Sequence, residues 1–271
     1  MNTMRQQQEL LQSYLKQAKV SLSKKPQGIL STSYSHHCIQ FCWKSSPSDQ
    51  KWVYLPKKET KLIQALAQKD YDTRFIKTAE KLAKTTDWII RIGAERDIHY
   101  FYQALAQVYT DLPEARRQFV IPYVLPDDLY VAAWKDVKYE GKGFWDDDPI
   151  HRTDNGERVR SKSEKMIADR LLTMNIPYRY EYPLSTKALG TIYPDFTLLD
   201  VWSRREVILE HFGLMGDPDY CDRMIRKYYT YIQEGYALGI DFLFTMETAN
   251  HPLNTQYFES MIRNRFLHTN I

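Results

Sequence analysis

Two short segments place a carboxylate where the pattern predicts core. One is Tyr193-Pro194-Asp195-Phe196-Thr197-Leu198-Leu199 and the other Val207-Ile208-Leu209-Glu210-His211-Phe212-Gly213. Both are apolar, β-branched or aromatic runs of strand length, and an ionised carboxylate inside such a run is costly unless it is paired or bound to a metal. The intervening Asp200-Val201-Trp202-Ser203-Arg204-Arg205-Glu206 is short, polar and turn-compatible, so the runs are predicted to pair as a hairpin with Asp195 beside Glu210. Two carboxylates side by side on neighbouring strands form a candidate site for a hard divalent cation, which takes oxygen ligands.

The flanking elements add further polar groups. Ser161-Lys162-Ser163-Glu164 precedes Met166, Ile167, Leu171 and Leu172, an amphipathic helix on which Glu164 shares the angular position of Ile167, Ala168 and Leu171. Ser-x-x-Glu is also the capping-box pattern, in which Glu164 would reach back to the Ser161 amide, so a capping role and a site role both stand. Pro177 to Pro183, with alternating Tyr178, Tyr180 and Tyr182, reads as a strand. After Gly213 the pattern gives a helix from Tyr220 to Gln233 carrying Arg223, Arg226 and Lys227, a strand from Ile240 to Met246 and a helix from Tyr257 to Leu267. The predicted order is helix, three strands, helix, strand, helix: a mixed sheet flanked by helices in an α/β fold.

A helix with Glu164, a strand with Pro194-Asp195, a strand with Glu210 and a helix with Lys227 together resemble the PD-(D/E)XK nuclease superfamily, the restriction-endonuclease-like fold. The resemblance covers roughly residues 158 to 247. Val159-Arg160-Ser161-Lys162-Ser163-Glu164, Tyr193-Pro194-Asp195-Phe196 and Glu210-His211-Phe212-Gly213 are similar to a bacterial and phage-associated branch of it. The chain departs from the family at Phe212, where the pattern has a lysine two residues after the second acid. Some branches supply that lysine from the following helix, which makes Lys227 the substitute and Tyr231, one turn on, its aromatic companion. Lys162 and Lys165 are further donors.

The resemblance implies a metal-dependent nuclease, an endonuclease acting most naturally on DNA. Asp195, Glu210 and the His211 backbone carbonyl would be ligands to Mg2+ or Mn2+, and Glu164 would act through a bound water. Lys227 would orient the attacking water or stabilise the charged phosphate. His211 alternates with Glu210 along its strand, so its side chain is assigned to packing or substrate contact and not to the base. Without a lysine in reach, the same fold would be a catalytically inactive nucleic-acid-binding or protein-interaction module. A third reading keeps the carboxylates as capping groups and buried ion pairs of a structural protein.

The first part of the chain has a different character. Net charge over all 271 residues is +3, yet residues 1–90 carry 15 Lys/Arg against 7 Asp/Glu and residues 161–271 carry 12 against 14. The basic excess therefore lies away from the carboxylates, which suggests a polyanion-binding region at 1–150 ahead of a nuclease-like domain at 151–271, with Gly141-Lys142-Gly143 and Asp146-Asp147-Asp148 as the connection. Residues 5 to 20 read as an amphipathic helix, with docking onto the body or onto a second copy both open. Ile29 to Trp43 and Lys51 to Leu55 read as a hairpin, and 57 to 70 and 73 to 84 as two helices parted at Asp72-Thr73. A further helix is predicted from Arg96 to Tyr109. Lys57, Lys58 and Lys61, with Lys69, Lys77, Lys81 and Lys84, are candidate phosphate contacts. His36, Cys38 and Cys42 share a strand face, but without a fourth ligand nearby the cysteines read as small apolar residues and not as a zinc site.

The N-terminus lacks an apolar signal core, no run reaches bilayer length, and three cysteines do not suggest a disulfide framework, so a cytoplasmic protein is expected. A homodimer would suit cutting both strands.

Overall fold

The computed structural model describes residues 4–35, 38–91, 98–146 and 148–267. The chain is a mixed α/β protein that divides into two compact units, Met1–Tyr130 and Val131–Ile271.

The first unit begins with α1 (Met4–Ser23), whose apolar stripe of Leu11, Leu15 and Ala18 is buried in the unit's own core. A three-stranded antiparallel sheet follows, β1 (Ile29–Ser35), β2 (Cys38–Lys44) and β3 (Val53–Leu55), in that spatial order. The run read as one strand from Ile29 to Trp43 is thus two, with Ser35 paired to Cys38. His36 lies outside the described residues. Cys38 is exposed and Cys42 partly so, both as free thiols, so the expectation of packed apolar cysteines does not hold.

One helix, α2 (Thr60–Arg91), replaces the two expected between 57 and 84. The supposed break is satisfied within the fold: Thr73 donates to the Lys69 carbonyl one turn back at 2.8 Å. Asp72, fully buried, accepts from Ser21 at 2.6 Å, Gln68 at 2.9 Å and Tyr123 at 3.0 Å. A side chain with three donors of its own does not compete for the backbone, and no Pro or Gly interrupts the segment. Lys69, proposed above as a phosphate contact, instead donates to the carbonyls of Pro26 and Gly28 at 3.1 Å each. The unit continues with α3 (Ile98–Thr110), α4 (Glu114–Arg117) and the start of α5 (Asp127–Lys135). Asp72→Ala would take the shared acceptor from the part-buried Ser21 and Tyr123 hydroxyls and from Gln68. It is expected to destabilise this unit by about 2–4 kcal/mol in urea unfolding followed by tyrosine and tryptophan fluorescence; a loss within experimental error would show that water replaces the carboxylate.

The sequence draws the boundary near residue 150, whereas the structural division falls inside α5, and the residues after Tyr130 pack within the second unit. Arg179 explains why. Its guanidinium lies over the Trp134 ring at 4.0 Å and the Tyr182 ring at 4.3 Å and donates twice to the Trp134 carbonyl, while Trp134 Nε1 donates to Glu206 at 2.6 Å. Tyr139 donates to the Tyr180 carbonyl at 2.8 Å. These aromatic contacts outweigh the linker-like composition of 141–148.

In the second unit β4 (His151–Arg152) and β5 (Arg158–Val159) form a small ladder before α6 (Lys162–Thr173). Then come β6 (Tyr178–Tyr180), the hairpin of β7 (Leu184–Thr186) and β8 (Gly190–Ile192), β9 (Phe196–Asp200), β10 (Arg205–Phe212), α7 (Pro218–Gln233), β11 (Phe242–Met246) and α8 (Thr255–Phe266). The central sheet has the order β11-β10-β9-β6, with β10 and β11 parallel and the other pairs antiparallel. Alternation along each strand sorts the faces. Val207, Leu209, Phe196, Leu198 and Leu243 pack on α6 and α8 through Ile167, Leu171, Phe258 and Ile262, whereas Ile208 and Phe242 pack on Tyr231 of α7. Among the described residues no helix is long and apolar enough to cross a membrane.

Candidate active site

Pairing of β9 with β10 ends at Phe196 opposite Leu209. Beyond that pair the strands part, and the backbone amide of His211 donates to Asp195 Oδ2 at 2.7 Å instead of to a strand carbonyl. The Asp195 carboxylate thus caps the open end of the ladder, next to Glu210 on the neighbouring strand. The side-by-side placement expected from the short polar turn is present.

Glu210 has the parity of Ile208, so it faces α7. It is 1 % exposed, and α7 supplies both of its partners: Lys227 Nζ lies 2.6 Å from Oε1 and 2.7 Å from Oε2, and Tyr231 donates its hydroxyl to Oε1. Lys227 and Tyr231 are one turn apart and so project from one stripe of the helix. That helix starts where the sequence dictates, with Asp217 accepting from the amides of Asp219 and Tyr220 and Pro218 in the first turn. The Lys227 ammonium also lies 3.5 Å from the Tyr193 carbonyl, between the two acid-bearing strands.

Glu164 is buried at the start of α6, and its bonds are those of a cap. Ser161 accepts from the Glu164 amide and donates to Oε1, both at 3.1 Å, while Oε2 accepts from the Arg160 amide at 3.0 Å and the Tyr180 hydroxyl at 2.7 Å. The carboxylate therefore reaches one residue further back than the capping box predicts, to Arg160 and not to Ser161. It still lies within electrostatic reach of Asp195, whose charge, after burial, helps to hold the Glu164 carboxyl above its ordinary range.

The electrostatics show a surplus of negative charge. Burial and the neighbouring Glu210 push the Asp195 carboxyl up to about 7, against the opposing pull of Lys227 and the His211 amide. Burial works against the Lys227 ammonium, but Glu210 and Asp195 outweigh it and hold its pKa above the ordinary lysine value. Tyr231 and Tyr220 are held protonated by burial and by the same two carboxylates. Asp195 and Glu210 thus share one ammonium, with Glu164 adding negative charge beside Asp195. Among the described residues no group of three or more His, Cys, Asp or Glu side chains is gathered to hold a metal as it stands, because Glu210 and Glu164 are turned to protein donors.

The His211 side chain points to the other face of the sheet. Nδ1 pairs with Thr245 at 2.9 Å and Nε2 with Glu247 at 3.2 Å, and Glu247 also accepts from Ser163 at 2.7 Å and the Leu253 amide at 2.8 Å. These bonds anchor the imidazole on the face of the sheet opposite Glu210. Phe212, where the resemblance has a lysine, packs against Phe244 with the rings tilted by 51° and their centroids 5.7 Å apart. Lys165 is held by Asp154 at 3.0 Å and Asp169 at 2.5 Å, whereas Lys162 is exposed at the start of α6. Lys57, Lys58 and Lys61 are exposed in the first unit. Tyr180, Tyr220 and Glu247 were not singled out in the sequence. Only Tyr180 left a signal, as the middle residue of the Tyr178, Tyr180, Tyr182 alternation.

No family model, curated protein or solved structure matches the chain.

Proposed function

We propose that the second unit is a restriction-endonuclease-like module and that the protein is a metal-dependent phosphodiesterase acting on nucleic acid, most naturally DNA. The observation that carries this reading is the meeting of Asp195, Glu210 and Lys227 where β9 and β10 part. The donor set suits a hard divalent cation: carboxylate oxygens in excess of cationic charge, with Asp195 still partly open to solvent. Asp195, one oxygen of Glu210 and the His211 carbonyl would hold Mg2+ or Mn2+, Lys227 giving up one of its two carboxylate contacts. Such an ion would lower the pKa of a water and neutralise charge on the phosphate.

The protein's own groups do the rest. Tyr231 fixes the Glu210 carboxylate from α7, and the His211 amide fixes Asp195. Lys227, held charged by both acids, provides a cation that can stabilise the pentavalent phosphorus as its oxygens gain charge. Glu164, with a raised pKa, can receive a proton from a water on the α6 side of the site.

A second reading has its own observation. Both oxygens of Glu210 are engaged by Lys227 and Tyr231, and those of Glu164 by Ser161, Arg160 and Tyr180, as in a module that keeps the fold without the chemistry. A cleavage assay on single-stranded DNA, duplex DNA and RNA with magnesium, manganese or EDTA separates the two. Cleavage that requires metal and is lost in both Asp195→Ala and Lys227→Ala is expected. If all substrates survive under every metal condition, the non-catalytic module is the correct reading.

A further inference from the structure

The β1-β2-β3 sheet of the first unit has one buried face and one open face. Leu30, Phe41, Trp43 and Leu55 point into the core. Register puts Ile29 beside Lys44 and Ser31 beside Cys42 and Tyr54, so these residues lie on the outer face. Tyr54 is 56 % exposed and Trp52, two residues before it on the same side, 42 %. Two residues of extended chain separate the backbone positions of the two rings by about 7 Å.

Their setting is basic and preorganised. Lys44 Nζ lies 4.9 Å above the Trp52 ring and is itself fixed by the carbonyls of Pro47 at 3.0 Å and Asp49 at 3.4 Å. Between residues 44 and 61 stand Lys44, Lys51, Lys57, Lys58 and Lys61 against two acids, Asp49 and Glu59. Asp49, folded back onto Ser45 and the Ser46 amide, keeps its negative charge, and the segment retains a net excess of three lysines.

Exposed aromatic rings grouped on one face mark an interaction surface. The cores of protein interfaces are depleted in lysine, whereas rings interleaved with lysines are what a nucleic-acid strand requires: flat surfaces for bases and cations for phosphates. In a duplex the base faces are already stacked on one another and cannot reach a side chain. We propose that the outer face of this sheet is a platform for single-stranded nucleic acid, with Trp52 and Tyr54 stacking unpaired bases and Lys51, Lys57 and Lys58 meeting the phosphates. The platform does not rest on the phosphodiesterase reading, and its test is run without metal.

The test is fluorescence anisotropy of the full chain in EDTA with a labelled 20-nucleotide oligothymidine and with a mixed-sequence 20-mer as single strand and as duplex, across a range of salt. Trp52→Ala/Tyr54→Ala is expected to weaken single-strand binding by roughly 30-fold or more with an unchanged salt slope, because no phosphate contact is lost. Trp52→Phe/Tyr54→Phe is expected to stay within a few-fold of wild type. Lys51→Ala/Lys57→Ala/Lys58→Ala should reduce the salt slope by about 2. Both rings are exposed, so circular dichroism should show the variants folded. A folded double-alanine variant with undiminished single-strand affinity overturns the proposal, as does an equal loss on the duplex. Wild-type protein that binds no oligonucleotide also overturns it and leaves the face to a protein partner.

Discussion

Asp195→Asn is expected to be more stable than wild type in EDTA at pH 8 and to lose all response to magnesium or manganese. The folded protein raises the Asp195 pKa from 3.8 to about 7, so between those values the folded state holds a proton that the unfolded state has released. Stability of the second unit therefore falls as pH rises from about 4 to about 7, and the full penalty is present above 7. Asp195 keeps partial contact with water, which screens the penalty, and the gain from removing the charge is about 1–3 kcal/mol. Asparagine retains an oxygen that can accept the His211 amide, so the ladder end stays capped. Urea unfolding at pH 5 and pH 8 checks the sign: the advantage of the variant should be full at pH 8 and fall to less than half at pH 5, where the folded wild-type carboxyl is neutral and only the unfolded chain has released its proton. On the proposed phosphodiesterase reading, metal-dependent cleavage should fall by at least about a thousandfold, since a proposed ligand to the ion is gone. A variant destabilised equally at both pH values would show that Asp195 is an ordinary structural acceptor.

That test separates the site from its structural rivals because the same carboxylates can serve both. What the sequence made legible was the geometry that follows from local rules. The short polar segment after Asp200 set the β9–β10 register, and alternation along β10 put Glu210 and His211 on opposite faces. Lys227 and Tyr231 were suggested by the resemblance, with helical spacing putting them one turn apart, and both reach Glu210. What the sequence hid depended on distant partners. Ile29 to Lys44 contains no Gly, Pro, Asn or Asp, so nothing in it announced a reversal of direction. Asp72 read as a helix break because its three donors come from α1, one turn back and Tyr123. β7 and β8 are three residues each and show too little alternation to stand out. The reach of Glu164 to Arg160 and Tyr180 required the β6 strand to be in place, which no spacing within α6 could reveal.

Replacing Lys227 should give the largest loss of stability in the second unit, and magnesium should partly reverse it. Glu210 is almost wholly buried, and Lys227 is its cation. Breaking a buried pair from one side leaves an uncompensated charge, so Lys227→Met is expected to cost about 3–5 kcal/mol in EDTA and to abolish cleavage. Lys227 has a raised pKa, so its stabilisation is fully present below the ordinary lysine value and is lost only as pH rises through the higher folded one. Removing both charges in Lys227→Met/Glu210→Gln should recover most of the stability while leaving the protein inactive, because position 210 no longer holds an unpaired charge but the proposed ligand is lost. Magnesium distinguishes a metal site from a structural ion pair. In Lys227→Met a divalent cation can occupy the position beside Glu210 without displacing an ammonium, so thermal stabilisation by magnesium should exceed that of wild type. If magnesium shifts neither protein, Lys227 and Glu210 are a buried ion pair that secures α7 to the sheet, and the chemistry assigned to them does not follow.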